Sequence, residues 1–159
     1  MDAVFVSRTI SSDRVSAIPV YSEKMVLLCN ADAPYCDGIS PASLPADKGI
    51  YMHWNHNYAM WHEYWFGTTH HNVSADNMRL VEKMISVTDK WAIVPVSAAR
   101  EVLRSERVKC LNLLNPPPNR EIFLLTLEPQ HEYTPLLIED LISALNQERL
   151  TQKSIVIRK

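Results

Sequence analysis

The chain has 159 residues, 47% of them apolar, and a formal net charge of −2. That composition excludes a disordered chain and gives no electrostatic reason to bind nucleic acid or an anionic membrane. Length allows one ordinary domain or two small lobes. No apolar run reaches bilayer-spanning length, and the opening MDAVFVSRT lacks the basic start and apolar core of a signal peptide. The cytoplasm is therefore the expected compartment. The three cysteines, Cys29, Cys36 and Cys110, lack paired zinc spacing and read as free thiols.

In chain order, Ala3–Val6 is a short continuous apolar run, which predicts a strand buried on both faces. Further strands are predicted at Ala17–Tyr21 and Met25–Cys29. Ser40 then reads as the cap of a short helix with Pro41 in its first position. Gly49–Met52 reads as a strand, and Asn57–Phe66 as a helix stopped by Gly67, with Tyr58, Trp61 and Trp65 on its apolar face. A weak strand at Asn72–Ser74 precedes a second helix capped by Asp76, whose stripe is Met78, Val81, Met84 and Ile85. Trp91–Val94 is a strand ending at Pro95, and Ser97 is placed to cap the short helix Ala98–Arg104. Strands at Cys110–Leu114 and Ile122–Leu127 flank a stiff Pro116-Pro117-Pro118 connector. Thr134 and Pro135 open a last helix carrying Leu136, Leu137, Leu141, Ile142 and Leu145. Strands alternating with helices predict an α/β fold with mostly parallel pairing.

The segment YMHWNHNYAMWHEYWFGTTHH, residues 51–71, holds five of the six histidines and three of the four tryptophans. A helical zinc pair needs i, i+4 spacing so that both imidazoles share a face. His62 has Tyr58 and Phe66 at those positions, and HEYWF is not HExxH. Trp54 lies in a loop between a strand's carboxyl end and a helix start, where α/β sheets bind ligands and free N–H groups favour anions. His53, Trp54, Asn55 and His56 are therefore ligand-binding candidates, with capping by Asn55 or Asn57 as the plainer alternative. With three glycines the chain has no phosphate-cradling loop, and it has no GxSxG elbow. No enzyme, cofactor or structural metal is expected.

The order of landmarks resembles the effector-binding domain of LysR-type transcriptional regulators. Asp2–Val6 is similar to that family's LDxAI crossover strand, and Ile18–Cys29 to its xxPLxxExLxLV segment. Ser40–Leu44 resembles ISLADL, and Met78–Val81 with Ala92–Pro95 resembles xxLVxAGxGIAxLP. Pro117–Arg120 leading into Ile122–Leu127 resembles the return crossover. The resemblance covers about residues 2–147, but Val87–Trp91 stands where the family has glycines.

It implies a fold like that of type 2 periplasmic binding proteins, with residues 22–120 as a complete second lobe. Residues 1–21 and 121–159 would supply part of the first lobe, with the winged helix-turn-helix absent from this chain. It further implies a small anionic or polar effector between lobes, self-association as a dimer or higher oligomer, and DNA contact only through the absent region. On the same ground Ser7 and Arg8, leaving the first crossover strand, and Asn77 and Thr88, at the ends of the second helix, join the ligand-binding candidates. A His-rich metal-binding protein or small metalloenzyme is the alternative, and a solute-binding protein a weaker one.

Overall fold

A computed structural model describes residues 3–8, 12–67, 73–127, 135–136 and 138–144. The chain divides into two compact units, Met1–Ser22 with Glu121–Lys159, and Glu23–Arg120.

In the first unit, β1 (Ala3–Val6), β8 (Arg120–Leu127) and β2 (Val15–Glu23) form a three-stranded sheet in the order β1-β8-β2. β1 runs antiparallel to β8, with Ala3 opposite Thr126 and Val6 opposite Phe123. Leu124, Leu125 and Thr126 are buried in β8, and Ile138 is buried in the helical stretch that follows. The expectation of a doubly buried strand at Ala3–Val6 fails. Among the described residues β1 is an edge of this sheet, and Val4 and Phe5 are 40% and 44% exposed. An apolar run reports the capacity to be buried, but the number of neighbours decides whether it is. Of the last helix's predicted stripe, Leu136 and Leu141 are exposed and Ile142 is half-buried, while Leu137 and Leu145, like the predicted opening residue Thr134, lie outside the described residues.

The second unit is built on five strands in the order β5-β4-β6-β3-β7. These are β3 (Met25–Asn30), β4 (Gly49–Tyr51), β5 (Val73–Ser74), β6 (Trp91–Pro95) and β7 (Val108–Leu111). α1 (His56–Phe66) joins β4 to β5, α2 (Met78–Val87) joins β5 to β6, and α3 (Val96–Val102) follows β6 directly. β4 is parallel to both β5 and β6, whereas β3 is antiparallel to β6 and β7. The α/β expectation holds, but pairing is mixed rather than mostly parallel. Parallel pairs arise where a helix carries the chain back over the sheet. β3 enters from the other unit, and nothing in an apolar run encodes its direction.

MVLLC in β3 and WAIVP in β6 are buried along their whole lengths, as expected of central strands. Each fully buried side chain such as Leu27 or Ile93 contributes about 2 kcal/mol. Alternation sends Val26, Leu28, Ala92 and Val94 to one face, beneath Val81 and Ile85 of α2 and Ala99 and Val102 of α3. Met25, Leu27, Cys29, Trp91 and Ile93 face the other way, packing with Tyr58, Trp61 and Phe66 of α1. Gly49 makes room for Trp91, since a Cβ there would stand 3.0 Å from the indole ring. Gly67 ends α1 at a φ of 75°, in the region that favours glycine.

The caps differ from those predicted in three places. Ser40 makes no side-chain cap, although Pro41 does begin the short 3₁₀ turn Pro41–Ser43. Asn77 rather than Asp76 caps α2, accepting from the N–H groups of Arg79 and Leu80 at 2.9 and 3.4 Å. α3 begins directly after Pro95, so Ser97 lies inside it. The Ser97 N–H donates to the Glu23 carboxylate at 3.0 Å.

Candidate functional site

A cleft of about 760 Å³ opens in the second unit at the carboxyl ends of β4, β5 and β6. Met52, His53 and Trp54 form one wall, and Ser74, Ala75 and Asp76 continue it beyond β5. Met78 and Leu80 of α2 and Ser97, Ala98 and Glu101 of α3 complete it. The chain's crossovers explain the position. α1 leaves β4 on one face of the sheet and α2 leaves β5 on the other, so the strand ends part where the connections diverge.

Of the eight candidates, the structure brings two, His53 and Trp54, into this wall. Trp54 is half-buried and held from three sides. Its indole N–H donates to the Ile93 carbonyl at 2.9 Å, its ring touches both core clusters, and the Arg120 guanidinium stands 5.5 Å from the ring centroid. His53 is exposed, with Nδ1 3.2 Å from the Tyr51 hydroxyl. Asn55 caps α1, its Oδ1 accepting the Tyr58 N–H at 2.8 Å. His56 is the exposed first residue of that helix, outside the wall. Asn77 is the cap of α2, one residue from the cleft-lining Asp76.

Thr88 sits at the far end of α2, donating to the Met84 carbonyl at 2.6 Å and accepting from the Lys90 N–H. It thereby closes the turn for which the family pattern has glycine. Ser7 and Arg8 follow β1 in the other unit, half-buried and exposed respectively.

Sequence reading missed Asp76 as a lining residue, together with Ser97 and Glu101. It also missed a buried node beside the cleft. Glu23, 5% exposed, accepts from the Ser97 N–H and from Arg120 Nη1 at 2.9 Å. The chain passes between the units at these same two residues, Glu23 and Arg120. A glutamate closing β2 just before the wholly buried run Met25–Cys29 was the available signal, since a buried carboxylate needs a cation or N–H donors.

Elsewhere in the His-rich segment, one stripe of α1 packs into the core. The buried residues of α1 are Tyr58 and His62, four apart on one stripe with Phe66, while Trp65 is only half-buried. The His62 ring lies 5.0 Å from that of Tyr51 and 4.6 Å from that of Phe66. Burial pushes the Tyr58 phenol well above its ordinary range. Among the described residues no group of three or more His, Cys, Asp or Glu could hold a metal ion. His70 and His71 lie outside the described residues. Cys29 and Cys110 are on adjacent strands but face opposite cores, and burial pushes both thiols up to about 11. Cys36 is exposed. No described helix is long and apolar enough to cross a membrane.

This mixed α/β sheet with its cleft at the strand ends has the fold of the type 2 periplasmic-binding-protein class. Residues 1–149 match the model of the LysR substrate binding domain, and the chain belongs to that family. A comparison with curated protein sequences returns no significant match.

Among solved structures, a cysteine mutant of OxyR from Corynebacterium glutamicum is similar at a TM-score of 0.75 and 13% identity, over 100% of this chain and 53% of its own. This chain thus spans about half the length of that relative. The reduced OxyR regulatory domain from Pseudomonas aeruginosa gives 0.73 and 17%, over 91% of this chain and 72% of its own. The Synechocystis CcmR regulatory domain in complex with 2-PG gives 0.71 and 13%, over 91% and 73%. At these identities the likeness concerns the fold.

Proposed function

We propose that this chain is the effector-sensing domain of a LysR-type transcriptional regulator, with Glu23–Arg120 as one lobe and the cleft beside Trp54 as its effector site. The observation that carries this reading is the cleft itself. It stands at the carboxyl ends of β4, β5 and β6 in a chain matched over residues 1–149 by the LysR substrate-binding model. The CcmR regulatory domain, which shares this fold, is described in complex with the small molecule 2-PG.

The effector acts by binding one arrangement of the protein better than another, which shifts the balance between them. Glu23 and Arg120 lie where the chain passes between units and adjoin cleft residues Ser97 and Trp54, so they are placed to transmit that shift. The reading assigns DNA contact to a region outside the two units, a homodimer as the working form, and the cytoplasm as its place. No covalent chemistry is part of it.

The test is thermal melting of the protein against a panel of small metabolites, wild type beside Ser74→Trp. Ser74 is exposed and lines the cleft, so an indole there fills the cleft without disturbing the core. A metabolite that raises Tm in the wild type and not in Ser74→Trp is the expected result. Equal stabilisation of both proteins by every active compound would overturn the assignment.

A further inference from the structure

We infer that the cleft selects a ligand with an apolar body and a positively charged nitrogen, an inference that rests on the cleft being the effector site. A position among helix starts argues first for an anion, because unpaired N–H groups and the helix dipole attract negative charge. Here several of those donors are already engaged. Asn55 takes the Tyr58 N–H at the start of α1, and Asn77 takes those of Arg79 and Leu80 at the start of α2. At α3, the Lys24 carbonyl takes the Val96 N–H at 3.0 Å and the Glu23 carboxylate takes that of Ser97. An anion entering the cleft would compete with these acceptors for the same N–H groups.

The charged side chains that line the cleft argue the same way. Among the described residues that line the cleft, Asp76 and Glu101 contribute two carboxylates, His53 is the only basic side chain, and there is no Lys or Arg. The Arg120 guanidinium beside Trp54 is paired with Glu23, so its charge is already met. Between the carboxylates and Trp54, the lining is supplied by Met52, Met78, Leu80 and alanine, which suits an aliphatic or aromatic body. Two carboxylates facing one ligand charge favour a cation over an anion of the same shape. Ser74 and Ser97 can take further hydrogen bonds from an ammonium group.

The experiment compares three probes of one shape on the full chain, phenethylammonium, phenylethanol and phenylpropanoate. Calorimetry gives affinity, and the Trp54 indole N–H signal in NMR reports occupancy. The amine is expected to bind about tenfold tighter than the carboxylate, with the alcohol between them. In the double variant Asp76→Asn/Glu101→Gln that ratio should fall to near unity, while far-ultraviolet circular dichroism confirms an unchanged fold. Carboxylate binding as tight as amine binding, with the Trp54 signal moving, overturns the charge selection and leaves the effector site standing. Amine binding unchanged by Ser74→Trp, or failure of all three probes to move Trp54, overturns the effector site and the selection together.

Discussion

The two faces of the five-stranded sheet carry different side chains and do different work. One face is aliphatic, with Val26, Leu28, Ile50 and Val94 under α2 and α3, and its margin opens into the cleft. The other is aromatic, with Trp91 meeting Phe66 at 5.1 Å and Tyr58 stacked on Tyr51 at 5.9 Å under α1. The residues that look most like chemistry therefore mostly build core, while the plainer face holds the site. Trp54 is the exception because it packs against both clusters and still lines the cleft.

Substitutions can sharpen or break that contrast. The largest effect is expected from Trp91→Ala, which empties the centre of the aromatic face and removes the 3.0 Å bond from its indole N–H to the Pro45 carbonyl. A loss of about 4 kcal/mol in denaturant unfolding is expected. A loss below 1 kcal/mol would mean that the aromatic face is not the packed core described.

Glu23→Ala, on the aliphatic side, leaves Arg120 without its partner and the Ser97 N–H without its acceptor. Because the Arg120 side chain is 26% exposed, about 2 kcal/mol is expected rather than the larger penalty of a fully buried pair. A double-mutant cycle with Arg120→Met should show the two changes to be non-additive; strict additivity would dissolve the node.

Tyr58→Phe tests the aromatic face in the opposite sense. The Tyr58 hydroxyl is buried and makes no hydrogen bond, so its removal should stabilise the protein by about 1 kcal/mol. Destabilisation on urea unfolding would show that the hydroxyl has a partner.

The smallest effect is expected at the thiols. Cys36→Ser should change stability by less than about 0.5 kcal/mol, because Cys36 is exposed. In the native protein Cys36 should react promptly with a thiol reagent near neutral pH, while Cys29 and Cys110 react only on unfolding. Their native thiols titrate near 11 instead of the ordinary 9.0, so the native state holds them neutral. The stability this supplies is fully present below pH 9.0 and is lost as pH rises toward about 11. Rapid reaction of all three cysteines in folded protein would contradict the burial.

Parts of the site were legible because they depend on neighbours in sequence. Trp54 follows an apolar strand and precedes an Asn cap, which places it at a strand's carboxyl end. Asp76 reads as the cap of the second helix, and it lines the cleft instead because that helix starts one residue later than the pattern suggests. Glu101 joins Asp76 only because β6 and α3 bring it back to the same cleft. The Glu23–Arg120 pair spans 97 residues, far beyond any local pattern.

The sequence by itself determined where strands and helices form, which residues are apolar enough to be buried, and the family to which the chain belongs. These follow from propensity and periodicity, which act over a few residues. Only the tertiary structure decided that β1 lies at an edge, that β3 runs antiparallel to β6, and that the helix starts beside the cleft are already capped. It also decided the cleft's charge, since Asp76, Glu101 and Trp54 meet there only after the chain has crossed the sheet and returned. Convergence of distant side chains depends on strand order and direction, which local sequence does not encode.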